Sequence, residues 1–249
     1  MKKKVLKIIA LVIAIALIVG VCWFANALNG NPLSKMLAEK AVVAYLAENY
    51  AHTDYYVEKL AYSFKFGNYY AHIRSEASMD TQFTLYIDMI GNVYFDTFDD
   101  VLRGAITARR LEQEYRDLTD QIFDNPSFPY PSDIGYGTLE IFPQEALDDP
   151  QVNDIPDYAL VQQDLVLDQI YDIRELGRQA GHLIIYVEND TISFELAAKI
   201  LLDIREEFDN ANIPFRAIDF SLQPPLPDEG PRTGYHRKGC KDDRSCRAS

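Results

Sequence analysis

Eighteen consecutive uncharged residues, Ile8 to Ala25, stand directly behind Lys2, Lys3, Lys4 and Lys7. As a helix this stretch would be about 27 Å long at 1.5 Å per residue, close to the hydrocarbon thickness of a bilayer. A membrane helix is the economical reading, with residues 1–28 as a transmembrane anchor and residues 5–25 in contact with the lipid bilayer; a buried core helix is the bland alternative. No acidic residue precedes Glu39, so the positive-inside bias keeps the N-terminus cytoplasmic and places residues 29–249 on the extracytoplasmic side of the cell membrane. Trp23 then falls at the far edge, where an indole is favoured. The rival is a secretory signal cleaved after Ala27, because Ala25-Asn26-Ala27 has the small-x-small form; against it, the apolar run exceeds the roughly 7 to 15 residues of a signal core. A lipid-modified Cys22 is disfavoured by Val21 in front of it, where a small residue is needed.

Charge bounds the partners. Residues 26–228 carry 35 acidic against 14 basic groups. Such a body repels nucleic acid and anionic head groups, so no nucleic-acid partner is expected, while cations and basic peptides are tolerated. Its many Phe and Tyr residues belong to a folded globule and not to an acidic disordered tail. Cys22 lies in the apolar segment and Cys240 and Cys246 in the tail. A body without cysteine suits a bacterial envelope better than a disulfide-dense secreted module.

Periodicity divides the exported part. Over Pro32–Tyr50 a helical stripe collects Leu33, Met36, Leu37, Val43, Leu46 and Tyr50. The period then changes to two. Leu60, Tyr62, Phe64 and Phe66 alternate, then Tyr69, Ala71 and Ile73, then Phe83, Leu85 and Ile87, followed by Val93 and Phe95. Turns at Gly67-Asn68, "EASMD" and Gly91-Asn92 make these runs an antiparallel meander of three or four strands. Lys65, His72, Arg74, Gln82, Thr84 and Asp88 mark its wet face, and the helix must cover the dry one. Helical spacing returns from Asp99 to Phe123, read as a long helix joining two halves. The stretch "DNPSFPYPSDIGYG" is a linker, in which Gly135-Tyr136-Gly137 is a loop.

Beyond it, Thr138–Phe142 reads as a strand and residues 159–171 are ambiguous. Asp172 opens a helix with Glu175 three residues on and Gly181 at its stop. Residues 182–188 read as a buried strand. Asp190 or Thr191 opens a helix through Asn210, with Leu196, Ile200, Leu201, Ile204 and Phe208 inside, and Ile218, Phe220 and Leu222 face one way on a last strand. The fold class expected is α+β: the anchor at 1–28, a helix-plus-meander domain at 29–97, a long helix and Pro-rich linker at 98–136, a small α/β sandwich at 137–222, and a flexible tail at 223–249.

The order of a short basic start, an apolar helix, an "NGNP" junction, a helix and "SFKFGNYYAHIRSEASMDTQFTLYIDMIGNVYFD" resembles the YfjL-like group of uncharacterised membrane-associated proteins of Gram-positive bacteria. "LGRQAGHLIIYVENDTISFELAAKILLDI" through "IPFRAIDF" is similar to that group's second domain. The first half also looks like a PepSY-type or cystatin-like unit. The resemblance implies a topology and a location; it brings no activity and no site residue.

The sequence carries few signatures of catalytic chemistry. His52, His72, His182 and His236 are far apart, and the helical metal-binding arrangements, the G-x-S-x-G elbow and the glycine-rich phosphate loops are all missing. No catalytic residue, cofactor-binding residue, cofactor or metal ligand is assigned. Asp148, Asp149, Asp154 and Asp157 lack the alternating ligands and central glycine of a calcium loop, and a solvated acidic loop is the simpler reading. His182 reads as a partly buried histidine. Among the tyrosines Tyr55, Tyr56, Tyr62, Tyr69, Tyr70, Tyr86 and Tyr94, the simplest reading is cross-strand pairs. The functional reading gives Tyr56, Tyr70, Tyr86 and Tyr94 to partner binding on the wet face. Cys240 and Cys246 either close a small disulfide loop or belong to a basic tail.

The expected function is therefore a non-enzymatic, membrane-anchored protein that binds or regulates an envelope protein or peptide partner. Two alternatives stay open: a cell-surface hydrolase using paired carboxylates, which requires a pocket with two inward carboxyls, and a protein that binds cations or cationic peptides.

Overall fold

Asn31 and Pro32 set the start of the first long helix, α1 (Pro32–Asn49): the Asn31 side chain accepts from the Leu33 N–H at 2.8 Å, and proline stands where no donor is needed. The computed structural model describes residues 11–21, 24, 30–130, 134–152 and 154–225. Residues 11–21 form an exposed helical run, about 16 Å long at 1.5 Å per residue and so roughly half of a bilayer's core. Among the described residues no helix is long and apolar enough to cross a membrane. Apart from Phe24, the rest of the expected anchor, with Cys22, Trp23 and the Ala25-Asn26-Ala27 junction, lies outside the described residues, as do residues 226–249 with Cys240 and Cys246. The chain divides into two units, Met1–Leu102 and Arg103–Ser249, of mixed α+β structure.

In the first unit β1 (Tyr55–Ser63), β2 (Asn68–Ser75), β3 (Gln82–Ile87) and β4 (Val93–Asp96) form one antiparallel sheet in chain order. Its inner face carries Ala71, Ile73, Leu85 and Ile87, all fully buried; a buried Ile or Leu contributes about 1.5–3 kcal/mol. The helix meets this face with small residues: Ser34, Ala38 and Val42, at i, i+4, i+8, are buried, while Leu33, Met36 and Val43 of the expected stripe are exposed. Periodicity marks the apolar positions, but a backbone lying close to a sheet selects the small ones for contact. Ser34 Oγ lies 3.1 Å from Tyr69 Oη, and Tyr69 donates to the Asn31 carbonyl. A short α2 (Phe98–Leu102) closes the end of the core, where Tyr50, Tyr55, Phe83 and Phe98 rings pack at 5.0–6.1 Å. Phe64 and Phe66, expected on the dry face, are exposed at 70% and 72% because β1 stops at Ser63 and Gly67, at φ 65°, turns the chain.

The single long helix expected over Asp99–Phe123 is broken at Gly104, φ 76°, into α2 and α3 (Ala105–Phe123), and Leu111, Tyr115 and Leu118 of α3 are in the core of the second unit. The loop and strand expected over 135–142 are instead β5 (Ile134–Leu139) and β6 (Ile141–Phe142) in two different sheets. After α4 (Gln144–Leu147), β6 pairs parallel with β7 (Leu160–Val161). Then follow α5 (Ile173–Ala180), β8 (Gly181–Glu188), α6 (Phe194–Asn210) and β9 (Ala217–Gln223). β8 is central, antiparallel to β5 and parallel to β9 through the α6 crossover. Leu183, Ile185 and Val187 of β8 pack with Ile200, Ile204 and Phe208 of α6. Asp172 caps α5 as expected, accepting from Arg174 and Glu175. The α6 start moves to Ser193, which accepts from Leu196, because Asn189 spends its side chain on a turn to Thr191 N–H. Gly181 does end α5, but with φ −70° it is no left-handed cap. Its missing side chain makes room for Tyr115.

Candidate functional site

Alternation along the meander carries Tyr56, Tyr70 and Tyr86 to the side opposite Ile73 and Leu85, since Tyr56 pairs with Arg74, Tyr70 with Tyr86 and Tyr86 with Phe95. A register shift between Tyr86 and Ile87 leaves Tyr94 as the extra residue of β4, with its ring 6.4 Å from that of Tyr86. Tyr94 is 58% and Tyr56 41% exposed; Tyr70 and Tyr86 are half-buried. The four tyrosines singled out in the sequence thus share one sheet face, and α1 and α2 pack on the other. Polar groups lie between them: His72 Nδ1 is 3.1 Å from Thr84 Oγ1, and Arg74 donates to Glu58 at 2.8 Å. Beside β4 the face sinks into a recess of about 490 Å³ lined by Phe66, Asn68, Tyr86, Tyr94 and Phe95. Alternation put Phe66 and Phe95 on the dry side and Asn68 in a turn; β1 instead ends at Ser63, Asn68 opens β2, and the extra residue of β4 turns Phe95, 58% exposed, to the open face beside Tyr86.

The edge of this sheet is fastened from beneath. Tyr45 of α1 and Tyr50, the residue at its C-terminal cap, both donate to Asp96 Oδ2, at 2.5 and 3.0 Å. Burial, then the hydrogen bond to Asp96, pushes the Tyr45 phenol up to about 12 and raises Tyr50 as well. Asp54 holds the β2–β3 turn by accepting from Ser75 Oγ and the Ala77 N–H, and these bonds lower its carboxyl.

The second unit gathers other titratable groups. His182 and Glu140 are bonded through Nδ1 and Oε1, both largely buried, because Glu140 lies two residues beyond Thr138, the cross-strand partner of His182. Asp219 Oδ2 is 3.3 Å from the opposite nitrogen, Nε2, without hydrogen-bond alignment. The two carboxylates sit on opposite ring nitrogens, so the three groups do not converge on one ion; among the described residues no set of three His, Cys, Asp or Glu is placed to hold a metal. Glu112 is raised by burial and, less, by Glu140, while Arg109 and Arg116 oppose the shift. Asp148 and Asp149 belong to the end of α4 and its turn, where Asp148 accepts from Gln144 and Asp149 from the Gln151 N–H. A groove of about 790 Å³ between α5, α6 and β9 is lined by Leu201, Phe215 and Ile218 and by Arg178, Arg205 and Arg216. Arg178 is paired with Glu175 and Arg205 with Asp209. Neither of these two recesses is lined by a pair of carboxylates.

Comparison with known proteins adds a family and no activity. Residues 3–97 match the YfjL-like, N-terminal domain and residues 114–241 match the YfjL-like C-terminal domain. No curated protein and no solved structure matches the chain. With one match in each half, in the order in which the two units follow along the sequence, the chain belongs to the YfjL-like family.

Proposed function

We propose that this is a non-enzymatic, single-pass membrane protein whose residues 29–249 lie outside the cell membrane and whose first unit binds an envelope protein or peptide through its meander. The observation that carries this reading is the placement of Tyr56, Tyr70, Tyr86 and Tyr94 on the sheet face opposite α1 and α2, a face that no helix covers among the described residues. Tyrosines give an interface large contact area with a polar end and little entropy to lose. The anchoring rests on the sequence from Lys2 to Ala25, and the helix-plus-meander order supports a likeness to PepSY or cystatin-like units. A photo-reactive residue in place of Tyr56 or Tyr94 in native membranes should give a discrete adduct. The same residue in place of the exposed Glu39 on α1 should not. Equal adducts from both faces, or none from the sheet, would overturn the assignment.

A further inference from the structure

Asn68 is the least comfortable residue of the first unit. It is 9% exposed, its Nδ2 donates to Tyr94 Oη, and its Oδ1 is buried without a partner. A buried carbonyl oxygen left without a donor is unfavourable, so such a group calls for an explanation. Asn68 itself lines the recess, together with Phe66, Tyr86, Tyr94 and Phe95, while its Oδ1 is closed to solvent. Tyr86 is central, 6.4 Å from Tyr94 and 5.9 Å from Phe95 between centroids.

We infer, resting on the reading of this face as a partner surface, that the recess receives a primary ammonium group, the side chain of a lysine in a basic peptide. Aromatic faces attract cations, and an unpaired carbonyl oxygen accepts from an N–H. A lysine supplies both, with an apolar stem to lie along the rings. The chain itself provides an example: Lys65 Nζ stands 5.3 Å from the centroid of Phe66. Residues 30–102 carry ten acidic and five basic groups, which draws a cation toward this unit. The ammonium reaches Oδ1 when the exposed Tyr94 ring, held to Asn68 by its hydroxyl, turns aside.

The full chain in detergent micelles, with isotope-labelled asparagine, is titrated with a short blocked peptide containing one lysine, its acetyl-lysine counterpart and its trimethyl-lysine counterpart. The side-chain amide signal of Asn68, identified by its loss in Asn68→Leu, should shift saturably with the lysine peptide. The other two peptides should bind about tenfold more weakly or worse, the first lacking the charge and the second the N–H. Asn68→Leu should weaken lysine binding about tenfold, read on neighbouring resonances, and Lys65→Ala should strengthen it by freeing the Phe66 face. Failure of the lysine peptide to bind, trimethyl-lysine binding as tightly, or acetyl-lysine binding more tightly would each overturn the inference; the last would mean that the amide presents its NH2 to the recess. Selective lysine binding with no adduct from the sheet face would leave this site standing and remove the partner reading, and adducts without lysine selectivity would do the reverse.

Discussion

At Tyr115 a single ring occupies the space given up by three glycines. A β-carbon on Gly137 would come within 2.9 Å of the ring, one on Gly177 within 2.5 Å, and one on Gly181 within 2.5 Å of the hydroxyl. The ring is fully buried, its hydroxyl donates to the Pro214 carbonyl at 3.0 Å, and burial raises the phenol. Neither the ring nor Gly181 has room to yield, so Gly181→Ala should destabilise the second unit by about 1–3 kcal/mol through overpacking. Tyr115→Phe should cost about 1 kcal/mol through the lost hydrogen bond. Urea unfolding checks both, and an unchanged midpoint for Gly181→Ala would contradict the packing described. Tyr45 makes a prediction in pH. Its folded value, about 12, lies above the ordinary phenol value of about 10, so the folded state retains a proton that the unfolded chain releases. That stability is fully present below about pH 10 and is lost as pH rises through about 12. Tyr45→Phe should make the fall of melting temperature across this window shallower; an identical slope in the variant would argue against it.

At the level of elements, the caps separate what the sequence discloses from what it hides. Asp172 was legible because an acceptor stood three residues before Glu175 at the head of an amphipathic run, and the structure has it bonded to Arg174 and Glu175. The α6 start was displaced by Asn189, which forms a local turn to Thr191 and leaves Ser193 to cap the helix. Asp172→Ala and Ser193→Ala should therefore each cost about 1 kcal/mol in thermal or urea unfolding. Thr191→Ala should stay within about 0.5 kcal/mol, and a larger effect there would return the cap to the expected position. The meander was readable from alternation, with Tyr56, Tyr70, Tyr86 and Tyr94 on its open face. The α1 contact was not, because periodicity ranks Leu33 and Val43 above Ala38, whereas close approach to the sheet favours the small side chain. Nor was the Glu140–His182 pair, whose partners lie 42 residues apart and meet only through the β5–β8 register.

Across the whole chain the charges are arranged by segment: four lysines and no acid before residue 26, then 35 acidic against 14 basic groups through residue 228. For the proposed topology, the lysines ahead of Ile8 oppose transfer of the N-terminus, whereas acidic groups in a long following segment do little to prevent its export. The cysteines allow a direct reading, since Cys22 falls in the apolar stretch and the other thiols, Cys240 and Cys246, are in the C-terminal segment. After treatment of intact cells with a membrane-impermeant reductant, an impermeant maleimide should label the wild-type chain. Cys240→Ser with Cys246→Ser should remove that labelling, and the labelled wild-type chain should stay with the membrane through alkaline carbonate extraction. Labelling that appears only after lysis would place residues 29–249 in the cytoplasm and defeat the proposed orientation. A labelled chain released by carbonate, with an intact mass beginning at Leu28, would keep the export and replace the anchor with a cleaved signal.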